Sequence, residues 1–339
     1  MADVANLITD VPGVSVGHAQ DAALASGVTA VIFDAPAVAS IAIHGGAPGV
    51  RDTALLEPEM TMERIDALTL SGGSVYGLDT AGGALEFLRA KGRGFAIGDV
   101  RVPIVPGAIL FDLLNGGDKS WRGRAPYWDL GFAAAKSAGR SFALGSVGAG
   151  LGGNTANLKG GLGSASAVSS GGYVVGAIVA VNSLGQATIG DGPHFWAAPF
   201  ERGAEFGGLG WPAPAPETAL SMRLQTDRLA NTTIAVVATD APLSKAQAKR
   251  LAVQAHDGMA HALRPAHAWL DGDLIFTAST ERHPRPPTPR ELAEIGMLAA
   301  DTLARAIARA VYEATPLNVP GALPSWRETF GARGQVKER

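Results

Sequence analysis

The sequence predicts an α/β fold, and three observations carry that reading. An unbroken run of β-branched and small apolar residues, Thr232–Thr239 (TTIAVVAT), is followed in order by a helical, an extended and a second helical pattern. Apolar residues make up 47% of the 339 residues, enough for a substantial core in one large domain or two ordinary ones. The first half reads as short strands punctuated by Gly and Pro, and the 44 glycines are about twice the roughly 7% share usual in soluble proteins. These glycines follow no triplet period, so they mark tight turns and close backbone approaches rather than a fibrous repeat.

Taken in chain order, Val28–Phe33 and Val38–His44 are bounded by turn formers and read as two strands. Leu78, Leu85 and Leu88 fall near helical spacing and predict a helix from about Val75 to Ala90. The polar, Gly-rich stretch Leu113–Tyr127 reads as a surface loop. Tyr173–Val181 is nearly all apolar, as expected of a strand covered on both faces. Trp211–Ala230 opens with alternating prolines and reads as an exposed, extended connection. Beyond Thr232–Thr239, Ser244 and Gln247 form a capping box for a helix running to about Leu263. Asp271-Gly272-Asp273 turns into a strand, Leu274–Ala278. Thr288, Pro289 and Glu291 then open an amphipathic helix that carries Leu292, Ile295, Leu298, Leu303, Ile307 and Val311. No internal repeat is present, and the order of elements does not decide whether the sheet is parallel.

Composition narrows the function. The net charge of −3 is dispersed, with no basic stripe for nucleic acid and no polybasic membrane patch. The absence of cysteine removes disulfides, thiolate nucleophiles and thiolate metal sites. No run of about 18 apolar residues forms a membrane span, and Met1–Asn6 lacks the pattern of a secretory signal. A cytoplasmic protein is the expectation. Gly148–Gly153 fits GxGxxG, but Asn154-Thr155-Ala156-Asn157 is poor helix material and no acid follows at the spacing a ribose needs, so the nucleotide reading is rejected. Ser74 misses the GxSxG elbow by one position and reads as a tight strand-to-helix turn. The seven histidines show no zinc spacing, and His256 and His261, at i and i+5, diverge around their helix. Most of them read as surface or packing residues, and neither a metal nor another cofactor is expected.

Asn231-Thr232 remains. By itself it is an ordinary loop end and strand start. Three features add weight to a catalytic reading: an extended connection just upstream, a strand that holds Thr232 rigidly, and a chain with no convincing histidine base for a hydroxyl nucleophile. An N-terminal Thr supplies its own base, because an α-amine has a pKa of about 7.7–8.0 and lies within reach of its hydroxyl. That amine exists only after the Asn231–Thr232 bond is cut. The expected cut begins with the same hydroxyl attacking the Asn231 carbonyl, an N-to-O acyl shift followed by ester hydrolysis.

The chain resembles the family of L-aminopeptidase/D-esterases, β-peptidyl aminopeptidases and nylon-oligomer (6-aminohexanoate oligomer) endohydrolases. The resemblance is carried by Thr9–His18 (TDVPGVSVGH), by Gly145–Ala167 with Gly148-Ala149-Gly150 and Leu158-Lys159-Gly160-Gly161, and by Asn231–Thr239 with Leu270-Asp271-Gly272-Asp273. It implies a layered α/β sandwich of β-sheets between helical layers, like N-terminal-nucleophile hydrolases but differently connected. It further implies self-cleavage into an α chain, 1–231, and a β chain, 232–339, which together form one globular domain, with αβ units assembling into a homotetramer. Thr232 matches the nucleophile, and Asn231 is the other side of the cleavage site. Lys159 matches a lysine near the nucleophile, and Asn182 matches a donor to the oxyanion. Asp271 and Asp273 match residues that orient the nucleophile's amine. Alternating with Gly272, the two carboxylates project to one side of an extended segment. Tyr76, beside a Gly-rich turn, is a weaker substrate-binding candidate. Each role has a plainer alternative: a loop lysine, a turn-forming Asn, a hairpin Asp-Gly-Asp. The expected partner is a small amide or peptide substrate, taken as a linear amide oligomer or, alternatively, by exo-acting aminopeptidase action. An uncleaved, inactive binding protein is the reading from a different class.

Overall fold

A computed structural model describes residues 5–224 and 231–331. Among these residues the strands are β1 (Val14–Asp21), β2 (Ser26–Ile43), β3 (Gly49–Arg51), β4 (Arg64–Ser71), β5 (Phe95–Ile97), β6 (Val100–Val102), β7 (Gly107–Ile109), β8 (Gly161–Val168), β9 (Val174–Asn182), β10 (Thr232–Thr239) and β11 (Leu274–Ser279). The α-helices are α1 (Thr80–Ala90), α2 (Tyr127–Lys136), α3 (Lys245–Ala262), α4 (Pro289–Tyr312) and α5 (Trp326–Phe330). Strands β5 and β6 pair only with each other; the others join one sheet in the order β3-β7-β4-β2-β11-β10-β9-β8, with β1 added to β2. Most neighbours are antiparallel, while β10 with β11 and β4 with β7 are parallel.

Three cores show how this sheet is layered. Val31, Phe33, Ile41, Ile178, Val236 and Phe276 meet in one core between strands, closed by short 3₁₀ turns at Ile8, Leu56 and Ala149 and by none of the α-helices. On the opposite face of β9, β10 and β11, residues such as Val179, Val237 and Ile275 pack against Leu251 of α3 and Leu303 and Ile307 of α4. On the opposite face of β2 and β4, Val28, Ala30 and Ala67 pack against Ala84 and Leu88 of α1 and Ala134 of α2. The expected order of helices, strands, strands and helices is present. Strand β2 links the two strand layers, because it pairs with β1 and β4 along its first half and with β11 along its second.

This layering explains the sequence patterns. Strand β10 is buried at every position and therefore shows no polar alternation. The capping boxes Ser244/Gln247 and Thr288/Glu291 are formed at the starts of α3 and α4, as expected. Val28–Phe33 and Val38–His44, expected as two strands, are halves of the single strand β2. Its pairing with β4 shifts register between Ile32 and Ala37, where Asp34, Ala35 and Pro36 are exposed. The helix expected from Val75 begins as a 3₁₀ segment, Ser74–Asp79, before α1. Helix α2 falls where a loop was expected to end: Gly131 and three aromatic residues mask its pattern, yet Tyr127, Gly131, Ala134 and Ala135 form a buried face. The connection before Thr232 is mostly exposed over 211–224, while residues 225–230 lie outside the described ones. No helix among the described residues is long and apolar enough to cross a membrane.

Helix α4 approaches β8 so closely that a Cβ on Gly163 would lie 1.9 Å from the Ala306 carbonyl oxygen. Backbone on both sides leaves no flexible group to yield. Gly163→Ala is therefore expected to cost about 2–3 kcal/mol by overpacking and to lower Tm by several degrees in a thermal melt. Gly139→Ala, with nothing within 4 Å of the added carbon, is the control and should leave Tm unchanged.

Candidate active site

Two strand pairings assemble this site. Because β10 and β11 are parallel, Ile234 opposite Leu274, their N-terminal ends lie at the same edge and Asn231 bridges Asp271. Because β9 is antiparallel to β10, its last residue, Asn182, lies opposite Thr232. Residues far apart in the chain thus converge where β10 begins.

The Thr232 hydroxyl is buried and donates to the carbonyl oxygen of Asn231 at 2.5 Å. The same oxygen accepts the Gly272 backbone N–H at 2.9 Å. So the hydroxyl sits against the carbonyl it would attack, and a fixed donor already binds the oxygen on which negative charge would build. Gly272 has to be glycine for this arrangement, since a Cβ there would lie 2.6 Å from Thr232 Oγ1 and 2.9 Å from the Ala47 carbonyl oxygen.

Asp271 and Asp273 are fully buried. Burial is the largest single influence and works against the Asp273 carboxylate, but the donors around it together outweigh burial, led by the His267 ring through Nδ1 at 3.0 Å. The backbone N–H groups of His267 and Thr233, each at 2.9 Å, add to this and hold the Asp273 pKa below the usual range. Asp271 has no comparable support. Burial first, then the charge of Asp273, push Asp271 up to about 9. One carboxylate and one carboxylic acid therefore stand side by side at neutral pH.

Asn182 is anchored at both ends of its amide: its Oδ1 accepts the Asn154 N–H and its Nδ2 donates to the Phe111 carbonyl, each at 3.0 Å. Nδ2 keeps a second hydrogen for other work. Lys159 is entirely buried, and its ammonium donates to the carbonyls of Gly150, Gly153 and Gly160 at 3.2, 2.6 and 2.8 Å. Burial lowers its pKa to about 7 against the opposing pull of Asp112. With three carbonyls taking its three hydrogens, Lys159 braces the loop whose Asn154 holds Asn182; in the continuous chain its hydrogen bonds all go to that loop and to Gly160. The GxGxxG segment thus supplies lysine-binding carbonyls.

A cavity of about 340 Å³ opens on Asn231 and Thr232. Its walls include Pro48, Val75, Leu78, Ile109, Phe111 and Leu270, and among the described residues no charged side chain lines it. Ser74, at the tight turn into α1, also lines it, whereas Tyr76 is half exposed, stands edge-on to Trp121 and is absent from the lining. The turn expected at Ser74 borders the cavity through the neighbours of Tyr76.

Sequence reasoning missed His267 and the Gly272 N–H. A backbone donor leaves no mark on residue type, and no motif spacing links His267 to Asp273. Three of the histidines expected as surface or packing residues pack against one another. His44 stacks on His256 at 3.7 Å between centroids, and His267 stands edge-on to both. Burial pushes the His256 ring down to about 3 and lowers His44 as well, so both are neutral at neutral pH. His261 does diverge, packing on Phe200.

Comparison with known proteins agrees with this architecture. The profile of Peptidase family S58 matches residues 6–322. An uncharacterized aminopeptidase of Mycobacterium bovis is 40% identical, over 97% of this chain and 99% of its own. A 6-aminohexanoate-oligomer endohydrolase of a Kocuria species is 28% identical, over 83% of this chain and 76% of its own. The L-aminopeptidase D-Ala-esterase/amidase structure from Ochrobactrum anthropi, described as a variant of the Ntn-hydrolase fold, superposes with a TM-score of 0.69. It covers 98% of this chain and 95% of its own at 20% identity, which shows the fold.

The raised pKa of Asp271 has a sign that can be checked. Above pH 3.8 the unfolded chain releases this proton while the folded chain keeps it to about pH 9. Its contribution to stability is therefore whole below pH 3.8 and declines as pH rises toward 9. In a Thr232→Ala background, the stability gap between the Asp271 protein and its Asp271→Asn variant should shrink by about 1.4 kcal/mol per pH unit from pH 5 to 7. Lys159 stays protonated for most of that window. Urea unfolding measures the gap, and a pH-independent gap would refute the assignment.

Proposed function

The chain belongs to peptidase family S58 and is a peptide and amide hydrolase; from that premise we propose that it matures by cutting its own Asn231–Thr232 bond and then works through Thr232. The observation that carries this reading is the Thr232 hydroxyl on the Asn231 carbonyl, whose oxygen is already bound by the Gly272 N–H.

In the first step Oγ1 bonds to the Asn231 carbonyl carbon, the C–N bond breaks, and the proton from the hydroxyl ends on the Thr232 nitrogen. Water then hydrolyses the ester, leaving Asn231 as a carboxylate and Thr232 with a free amine. That amine, with its pKa near neutrality, takes the hydroxyl proton as Oγ1 attacks a substrate amide, and returns it to the leaving amine. Water releases the acyl group in a second step. Asp273 holds the Thr233 N–H and so fixes the strand start. Asp271, next to the new amine, can ionise once that amine is protonated, which makes the carboxyl pair a counter-charge for the nucleophile's ammonium. Asn182 stands opposite Thr232 with one amide hydrogen to offer the oxyanion, a donor worth about 3–4 kcal/mol of barrier. Lys159 supports Asn182 from behind.

The uncharged, mostly apolar cavity suits an aliphatic acyl chain, so we assign linear amides of the 6-aminohexanoate type as the better substrates. The 40%-identical relative named as an aminopeptidase supports a second reading, exo-acting cleavage of short peptides with a free N-terminus. A matured preparation assayed on 6-aminohexanoate oligomers and β-alanyl dipeptides separates them. The expected result is at least tenfold higher kcat/KM on the oligomers; the reverse order favours the aminopeptidase. Thr232→Ala should stay uncut and lose at least about 10⁴-fold in rate, while Thr232→Ser should still mature. Turnover by Thr232→Ala would overturn the nucleophile assignment.

A further inference from the structure

We propose that His44, His256 and His267 form a transition-metal site, suited to Zn²⁺, on the far side of Asp273 from the nucleophile. The three come from the end of β2, the middle of α3 and the segment leading into β11. One ring nitrogen from each lies within 4.8 Å of the other two.

Hydrogen bonding shows which ring nitrogens are already engaged. His256 places Nε2 3.0 Å from the Ala42 carbonyl oxygen, and His267 places Nδ1 3.0 Å from Asp273 Oδ2. Neither acceptor carries a hydrogen, so those two ring nitrogens must carry theirs. The remaining nitrogens, His256 Nδ1 and His267 Nε2, are the ones left to offer a lone pair to a cation. Both atoms are buried and have no hydrogen-bond partner among the described residues. An unmet buried acceptor costs stability and calls for an explanation; two of them in a cluster of three imidazoles have one in a shared cation.

The anchoring matches how metal-binding histidines are held. A ligating imidazole usually donates its other N–H to a carboxylate or a backbone carbonyl, which fixes the tautomer and raises its basicity. Here Asp273 and Ala42 are those acceptors. Three neutral imidazoles without thiolate suit Zn²⁺ and neighbouring divalent ions rather than Ca²⁺ or Mg²⁺. With Zn–N bonds of about 2.0–2.1 Å, ligand nitrogens in a tetrahedral site lie roughly 3.4 Å apart. His44, the exposed member, supplies the needed rotation by leaving its stack on His256. Its position toward solvent leaves the fourth coordination place for water.

A bound cation would polarise the His267 ring and tighten its bond to Asp273, whose other oxygen holds the residue after Thr232. Occupancy is thus coupled to the geometry at the start of β10, while binding itself does not depend on the hydrolase reading.

The test uses full-length Thr232→Ala protein, so that failure of self-cleavage cannot confuse the result. Chelator-treated protein is titrated with Zn²⁺ by calorimetry, and with Co²⁺ while visible absorption is recorded. One equivalent of Zn²⁺ should bind, and Co²⁺ should give the intense bands of a four- or five-coordinate ion. His44→Ala, an exposed position, should weaken Zn²⁺ binding at least tenfold without changing the Tm of the metal-free protein. His267→Ala should abolish the Co²⁺ bands, and His261→Ala should change neither readout. Absence of stoichiometric binding, or affinity unchanged in both His44→Ala and His267→Ala, would overturn the site.

Discussion

The parallel pairing of β10 with β11 is the constraint on which the rest of the site depends. Parallel neighbours begin at the same edge, so a strand opening on Thr232 and one preceded by Asp271-Gly272-Asp273 bring those residues together without any contribution from a flexible loop. Parallel pairing needs a crossover, and α3 supplies it. The crossover also leads through His267, which reaches Asp273 from the end of that connection. A one-residue slip of β10 would turn every side chain to the other face and carry the Thr232 hydroxyl away from the Asn231 and Gly272 groups it now meets. Burial of both faces of β10 makes such a slip costly.

Given that register, the electrostatics follow from unequal hydrogen bonding. Two aspartates two residues apart and both buried cannot ionise equally. Asp273 receives three N–H groups and stays charged; Asp271 lacks them and stays protonated. Self-cleavage would replace a neutral peptide nitrogen by a basic amine close to this pair, and the pair holds a reserve of negative charge for that event. Lys159 plays a different part. Its ammonium is bound by backbone carbonyls of the glycine-rich segment, whose glycines are set by backbone pressed against them: a Cβ on Gly150 would lie 2.1 Å from the Leu162 nitrogen and one on Gly153 2.3 Å from the Val181 carbonyl oxygen.

Long, uniformly buried or well-capped elements were the most legible in the sequence. Strand β10 and helices α3 and α4 announce themselves through apolar runs and capping boxes whose local chemistry agrees with their tertiary position. The same cannot hold for β2, where Asp34-Ala35-Pro36 looks like a break but is an exposed irregularity within a continuous strand. Helix α2 hides because aromatic residues and a glycine replace the leucine spacing that marks α4. Within the site, alternation around Gly272 places the two carboxyls on one side, and the structure buries both, close enough for the charge of one to raise the pKa of the other. The difference in their protonation was illegible, since it comes from His267 and two backbone amides. The histidine cluster was illegible for the same reason: its members lie at 44, 256 and 267, and only the packing of α3 against the end of β2 joins them.

The central claim is that one hydroxyl gains a free amine by breaking its own backbone, and the intact mass of purified, matured protein tests it most directly. The account predicts two polypeptides, residues 1–231 and residues 232–339, the second beginning with an unblocked threonine. A single undivided species of 34.6 kDa that persists on incubation and still hydrolyses amides would contradict it.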